Sequence, residues 1–254
     1  MFSPKRSLVT GASAGLGVEF ARVLAARGSD LVLAARRTDR LEELAASLPG
    51  VKVEVVTIDL SLPEAGRRLF DAAGPVDLLV NNAGFGTHGA LVDEASERLA
   101  QEIALNVAAV VDATRAFLPS MIANGFGGVV NVASTAAFQP IPGMAVYGAS
   151  KSFVMSFSEA MWAEARKHGV KVTALAPGAT ATEFFDVVGT QQAAVGRQQT
   201  AEQVIATAMR ALDKRSTPPH VVSGAANAFA AWGTRFVPKR VLGPMAGRLI
   251  GFEG

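Results

Sequence analysis

KRSLVTGASAGLG, residues 5–17, opens as a short apolar strand and runs directly into a glycine-rich turn. Its glycines stand at 11, 15 and 17, followed by Val18, Ala21, Arg22, Leu24 and Ala25 at helical spacing up to Arg27. Glycines permit a tight turn and close backbone approach to a ligand, and a helix N-terminus offers unpaired N–H groups to an anion. A strand, a glycine turn and a helix in this order are the first half of a βαβ unit.

Working outward, the same alternation recurs. Strands are expected at 30–35 (DLVLAA), 51–58, 75–81, 127–134, 170–177 and 218–223. Helices are expected at 38–48, stopped by Pro49-Gly50, and at 62–73, 93–123, 145–168 and 201–213. This pattern predicts an α/β fold: a doubly wound parallel sheet of Rossmann type, covered by helices on both faces. With 254 residues, half of them hydrophobic, and no evident linker, one domain over 1–254 is expected, 225–254 forming a C-terminal amphipathic extension. In such a sheet the ligand crevice lies beyond the carboxyl ends of the strands.

Composition removes several functions. The chain has no cysteine, which excludes disulfides, thiolate–zinc sites, Fe–S clusters and cysteine nucleophiles, and no metal ligand set is expected. A formal charge of +2 gives no global sign of nucleic-acid binding. The first residues lack the apolar core of a signal peptide and no uninterrupted apolar run approaches a membrane span, so a cytoplasmic location is expected.

Tyr147 is the only tyrosine, four residues before Lys151 in YGASK. On a helix the two share a face. A phenol can give a proton to a developing alkoxide or take one from an alcohol, but its ordinary pKa is near 10. An ammonium ~5 Å away at an effective dielectric of ~20 is worth roughly 3 kcal/mol, about two pK units, so Lys151 is expected to draw the phenol down.

TGASAGLG (10–17), Asn81-Asn82-Ala83-Gly84, Ser134, YGASK (147–151) and Pro177-Gly178 stand in the order and spacing of the short-chain dehydrogenase/reductase family, which the chain resembles over roughly 5–225. The resemblance implies an oxidoreductase moving hydride between a nicotinamide and a carbonyl or secondary alcohol. It implies Tyr147 as acid/base, Lys151 also on the nicotinamide ribose, Ser134 on the substrate oxygen, and Asn106 in a water relay. For the cofactor it implies the turn residues Gly11, Ser13, Gly15, Leu16 and Gly17. Further along, it implies Asp59 and Leu60 near adenine, Asn81, Ala83 and Gly84 along the middle, and Pro177, Gly178 and Thr182 at the carboxamide. Asp59 or Ser61 could instead cap a helix, and Asn106 could be a buried amide satisfied by backbone.

Arg36 and Arg37 follow the second strand where NAD-specific relatives carry an acid, so NADP(H) is expected over NAD(H), with Arg36 the first choice for the 2′-phosphate. Substrate contacts are expected from 183–188 and from Phe138, Ile141 and Met144, favouring a hydrophobic small molecule. His88, Asp93, Glu94 and Glu97 read as surface or helix-start residues. Phe229, Trp232, Phe236 and Val237, then Val241, Leu242, Met245 and Leu249, give two apolar helical faces. They are expected to serve as a subunit contact or pocket cover, ahead of membrane contact. A homodimer or homotetramer built on 93–123 and 145–168 is implied. Rival readings are an epimerase or dehydratase on the same fold, or a non-catalytic dinucleotide-binding protein.

Overall fold

The computed structural model describes residues 1–190, 194–196 and 198–252; Glu253 and Gly254, the end of the expected C-terminal extension, lie outside them. Seven parallel strands form one sheet in the order β3-β2-β1-β4-β5-β6-β7. They are β1 (Arg6–Thr10), β2 (Asp30–Ala35), β3 (Val53–Thr57), β4 (Leu78–Asn81), β5 (Gly127–Val132), β6 (Val170–Ala176) and β7 (His220–Val222). The order reverses between β1 and β4, which opens the crevice there.

Strand side chains alternate between the two faces. Val9, Leu31 and Leu33 pack with Phe20 and Leu24 of α1 (Gly15–Ala26), Leu41 of α2 (Thr38–Ala46) and Ile205 of α8 (Ala201–Asp213). Leu8, Val32 and Leu79 pack with Leu69 of α3 (Ala65–Ala73), Phe117 of α5 (Ala109–Ala123) and Ala165 of α6 (Ala145–Ala165). Burial on both faces is why the inner strands read as unbroken apolar runs.

The expected helix 93–123 begins later. It comprises α4 (Ser96–Ile103), a π-helical turn (Ala104–Ala108) and α5. The short helix α7 (Phe184–Val188) was not anticipated, while the two helical faces expected around Pro238 fall on α9 (Ala225–Gly233) with its 3₁₀ turn Thr234–Phe236, and on α10 (Lys239–Leu249). In α10 the buried positions are Gly243, Ala246 and Gly247, with Ile250 just beyond, while Val241, Met245 and Leu249 are exposed. The expected apolar face is therefore the outward one. Small residues were selected inside because the helix lies close: a Cβ on Gly247 would stand 3.2 Å from Pro142 Cβ.

Candidate active site

The turn after β1 is held in a conformation that side chains resist. Gly11 and Gly15 have φ of +64° and +53°. A Cβ on Gly11 would lie 2.9 Å from Ala83 Cα, and one on Gly17 only 2.3 Å from Gly11 O. Gly17 is buried and lets α1 close onto the turn; it does not face the cleft, so its role is packing rather than ligand contact. Gly11, Ser13, Gly15 and Leu16 do line the cleft.

The loop after β4 is fastened to this turn. Thr10 Oγ1 accepts from Asn82 N at 2.9 Å and Ala83 N at 3.0 Å, and Asn82 Nδ2 donates to Thr10 O at 2.9 Å. Ala83 and Gly84 reach the cleft, as expected. Asn81 does not. As the last residue of β4 it turns inward, donating to Asn131 Oδ1 at 2.8 Å and Thr114 Oγ1 at 3.2 Å. Asn82, its twin in the sequence, is the lining residue that was passed over.

At the β2 end of the cleft Arg36 and Arg37 are both exposed lining residues. Arg37 Nε donates to Ser13 Oγ at 3.2 Å, and its Nη1 and Nη2 meet Glu183 Oε2 at 3.2 and 3.3 Å. Arg40 Nη1 meets Glu183 Oε1 at 2.7 Å. Hydrogen bonds from Arg40 and Arg37 hold the Glu183 carboxyl below the usual range. Arg37 thus faces the cleft and a carboxylate rather than open solvent. Asp59 accepts from Ser61 N at 2.9 Å and Ser61 Oγ at 2.7 Å, the competing cap-like reading, while Asp59 and Leu60 still line the cleft. The Ser61 hydrogen bonds, with help from the Arg36 and Arg68 charges, keep the Asp59 carboxyl low.

At the other end, Ser134 follows β5 and starts a 3₁₀ turn, its Oγ accepting from Ala136 N at 3.1 Å. Tyr147 and Lys151 sit one turn apart near the start of α6, and both are buried. Lys151 Nζ donates to Val132 O at 2.8 Å and lies 5.8 Å from the Tyr147 ring centroid. The expected lowering of the phenol is not found. Burial pushes Tyr147 up to about 12, against a hydrogen-bonding contribution from Ser134 that lowers it; the Glu102 charge adds to the rise. Burial also pushes Lys151 down to about 8, opposed by the charge of Glu102. The cation is desolvated with the phenol, so it loses the advantage its proximity promised.

Asn106 lies in the π turn behind the loop. Its Oδ1 accepts from Phe85 N at 3.1 Å, and its Nδ2 donates to Phe85 O at 2.8 Å and Ser150 Oγ at 3.1 Å. Backbone therefore satisfies much of this amide, and Asn106 is not a cleft-lining residue. Gly84 brings it near Lys151: a Cβ there would meet Asn106 Oδ1 at 2.9 Å and Lys151 Nζ at 3.4 Å.

One turn earlier, Glu102 is fully buried and was missed in the sequence. Its Oε2 accepts from Thr87 Oγ1 at 2.9 Å, and its Oε1 has no partner among the described residues. Burial raises its carboxyl. Thr87 follows Gly86, whose missing side chain leaves room for Tyr147: a Cβ there would stand 2.9 Å from Tyr147 Cδ2. Asn106 and Glu102 therefore pin two points of the loop that covers the phenol.

The cleft has a volume of about 710 Å³ and runs from Arg36 to Tyr147. Pro177, Gly178 and Thr182 line its middle, Asn227 packing against Gly178. Phe138, Ile141 and Met144 form one apolar wall, and Phe184, Phe185 and Val187 the other, as expected. Ala231, Ala246 and Ile250 line it from the C-terminal segment, and of the large apolar residues expected there as subunit contact or pocket cover, Leu249 lines it. His88 bridges to the same segment, 3.2 Å from Ile250 O.

A family model described as short chain dehydrogenase matches residues 5–193. The dehydrogenase/reductase SDR family member 7B of Bos taurus is 37% identical over 183 residues, which are 67% of this chain and 56% of that relative, so the chain spans little more than half of it. A short-chain dehydrogenase from Sphingobium yanoikuyae in complex with NADPH superposes with a TM-score of 0.79 at 33% identity, over 91% of this chain and 93% of that one. A short-chain dehydrogenase/reductase from Burkholderia phymatum in complex with NAD superposes with a TM-score of 0.82 at 27% identity, over 91% and 94%.

Proposed function

The chain belongs to the short-chain dehydrogenase/reductase family, and from that premise we propose that it is an NADP(H)-dependent reductase of hydrophobic carbonyl compounds, with Tyr147 as its proton donor. The observation that carries the reading is the buried pair of Tyr147 and Lys151 beside Ser134, at the apolar end of a cleft whose other end is cationic. The cleft suits a dinucleotide because the turn after β1, with Gly11 and Gly15 at positive φ, lines it with backbone, and Arg36 and Arg37 stand at its β2 end. Gly11, Ser13, Gly15 and Leu16 would hold its pyrophosphate end, Arg36 and Arg37 a 2′-phosphate, Asp59 and Leu60 its base, and Thr182 its amide. When bound, it supplies hydride.

The protein's own groups do the rest. Ser134 directs a hydroxyl to where negative charge develops on the substrate oxygen. Tyr147, pushed up to about 12 by burial, carries its proton at neutral pH, so the donor form that reduction needs is the one present. Lys151 stands behind the phenol as the nearest cation, and Asn106 and Glu102 hold the loop that shields both. The walls of Phe138, Met144 and Phe184 exclude water and favour an apolar substrate. A homo-oligomer joined through α4, α5 and α6 belongs to the same reading.

The test measures NADPH and NADH consumption against a panel of aldehydes and ketones, in the parent and in Arg36→Asp at fixed salt. A charge-assisted phosphate contact worth roughly 1.5–3 kcal/mol corresponds to about 10–150-fold in kcat/KM. Equal use of both cofactors by the parent, or unchanged preference in a folded Arg36→Asp, refutes the NADP(H) assignment. Absence of turnover across the panel refutes the carbonyl reading.

A further inference from the structure

We propose that the outer face of α9 and α10 docks on an anionic membrane surface. The segment is built inside out. Its inner side uses small residues, Ala231, Gly243, Ala246 and Gly247, to close on the cleft and on Pro142. Its outer side carries the large apolar side chains. Phe229, Trp232 and Phe236 are 72%, 53% and 68% exposed, yet their rings touch one another, with centroids 6.0 and 4.7 Å apart. Met245 of α10 is 52% exposed, and Leu249, 61% exposed, stands at the rim of the cleft. Residues of this size on an outward face mark an interaction surface.

Charge selects the occupant. Residues 214–254 hold six Lys and Arg against a single acid, Glu253, although the whole chain carries only +2. Arg235, Lys239, Arg240 and Arg248 are exposed, and none forms an ion pair with a described residue. A second copy of this face across a two-fold axis would set these cations against one another, with Glu253 the single acidic side chain of the segment to offset them. Anionic headgroups complement them, while the clustered aromatic rings suit the boundary between headgroups and acyl chains. Exposed aromatic and cationic side chains on two short helices fit peripheral docking rather than a span. The inference is independent of which carbonyl compound the cleft accepts.

The test is co-sedimentation of the full chain with vesicles of phosphatidylcholine alone and of equal parts phosphatidylcholine and phosphatidylserine, at low and high salt. Because the chain has only two tryptophans, Trp162→Phe leaves Trp232 as the sole indole reporter. Expected are binding to the anionic vesicles that weakens with salt, and a blue shift of Trp232 emission. Trp232→Ser with Phe236→Ser should lower partitioning ~10-fold or more, and Lys239→Glu with Arg240→Glu should remove the preference for phosphatidylserine. Both variants should keep cofactor binding, which checks their fold. No binding to either vesicle at low salt overturns the proposal. So does a change in oligomeric mass in the serine variant with vesicle binding intact, which would assign the face to a subunit contact.

Discussion

Replacing Glu183 by Gln should tighten NADPH binding and leave NADH binding alone. Glu183 is the carboxylate that hydrogen-bonds both Arg37 and Arg40 among the described residues, at 2.7–3.3 Å, where a 2′-phosphate is proposed to lie. It therefore acts as an internal anion that the phosphate must displace from Arg37. The Arg37 and Glu183 side chains are 42% and 44% exposed, so the pair is well screened. Exposed pairs are worth ~0.2–1 kcal/mol; two N–H contacts to one oxygen place this one toward the upper part, ~0.5–1 kcal/mol. Removing that competition predicts a Kd for NADPH about 2–5-fold lower. Titration of the purified protein with each cofactor at one low ionic strength measures it. Arg37→Ala should weaken NADPH binding and abolish the effect of Glu183→Gln, and the two changes together form a double-mutant cycle. An equal change for NADH and NADPH, or weaker NADPH binding in Glu183→Gln, refutes the competition. The second result would mean that Glu183 positions the arginines instead.

Tyr147→Phe should lower kcat ~100-fold or more while leaving cofactor affinity nearly unchanged, because no other phenol exists to replace it; retained turnover would remove Tyr147 from the chemistry. Lys151 is pushed from 10.5 to about 8 by burial, so between these values the unfolded chain binds the extra proton and the stability of the cofactor-free protein rises with pH. Lys151→Met removes that rise: its stability relative to the parent should fall by about 3 kcal/mol from pH 7 to pH 10.5, read by urea unfolding at each pH, and a constant difference contradicts a desolvated lysine. Gly17→Ala should cost more than 1 kcal/mol and weaken binding of either cofactor, since its Cβ would meet the Gly11 carbonyl; a thermal midpoint equal to the parent's would count against the tight turn.

Much of this was legible because local pattern and tertiary outcome agree. DLVLAA predicts a strand over 30–35 and forms β2 over those residues, since a strand buried on both faces needs only an apolar run between breakers. Tyr147 and Lys151 were readable because helical spacing alone puts them on one face. The misses have physical reasons. Asn81 and Asn82 are identical in sequence, and only the end of β4 decides which one turns inward. The rise of Tyr147 to about 12 depends on how completely the loop at Gly86 covers it, which spacing cannot convey. Glu102 looks like one more polar residue of a surface helix, and Glu183 meets Arg37 across 146 positions. Which way the apolar face of α10 turns was not legible either, because it depends on how closely the helix lies to Pro142, where a Cβ on Gly247 would crowd the ring.

The π turn between α4 and α5 is, in effect, a change of phase in one long rod. Below it, Phe117 and Met121 keep time with the sheet; above it, Arg98, Gln101 and Glu102 keep time with the cleft and its loop. Successive helical residues are about 100° apart, and a π turn closes its hydrogen bonds one residue later than an α turn, so it takes up an extra residue with little rotation of one half against the other. Deleting one residue of Ala104–Ala108 other than Asn106 would heal the turn into ordinary helix and leave Glu102 facing Thr87. A further inserted residue has no such turn to absorb it and would rotate one half by that angle, so this stretch should accept a single deletion far more readily than a single insertion.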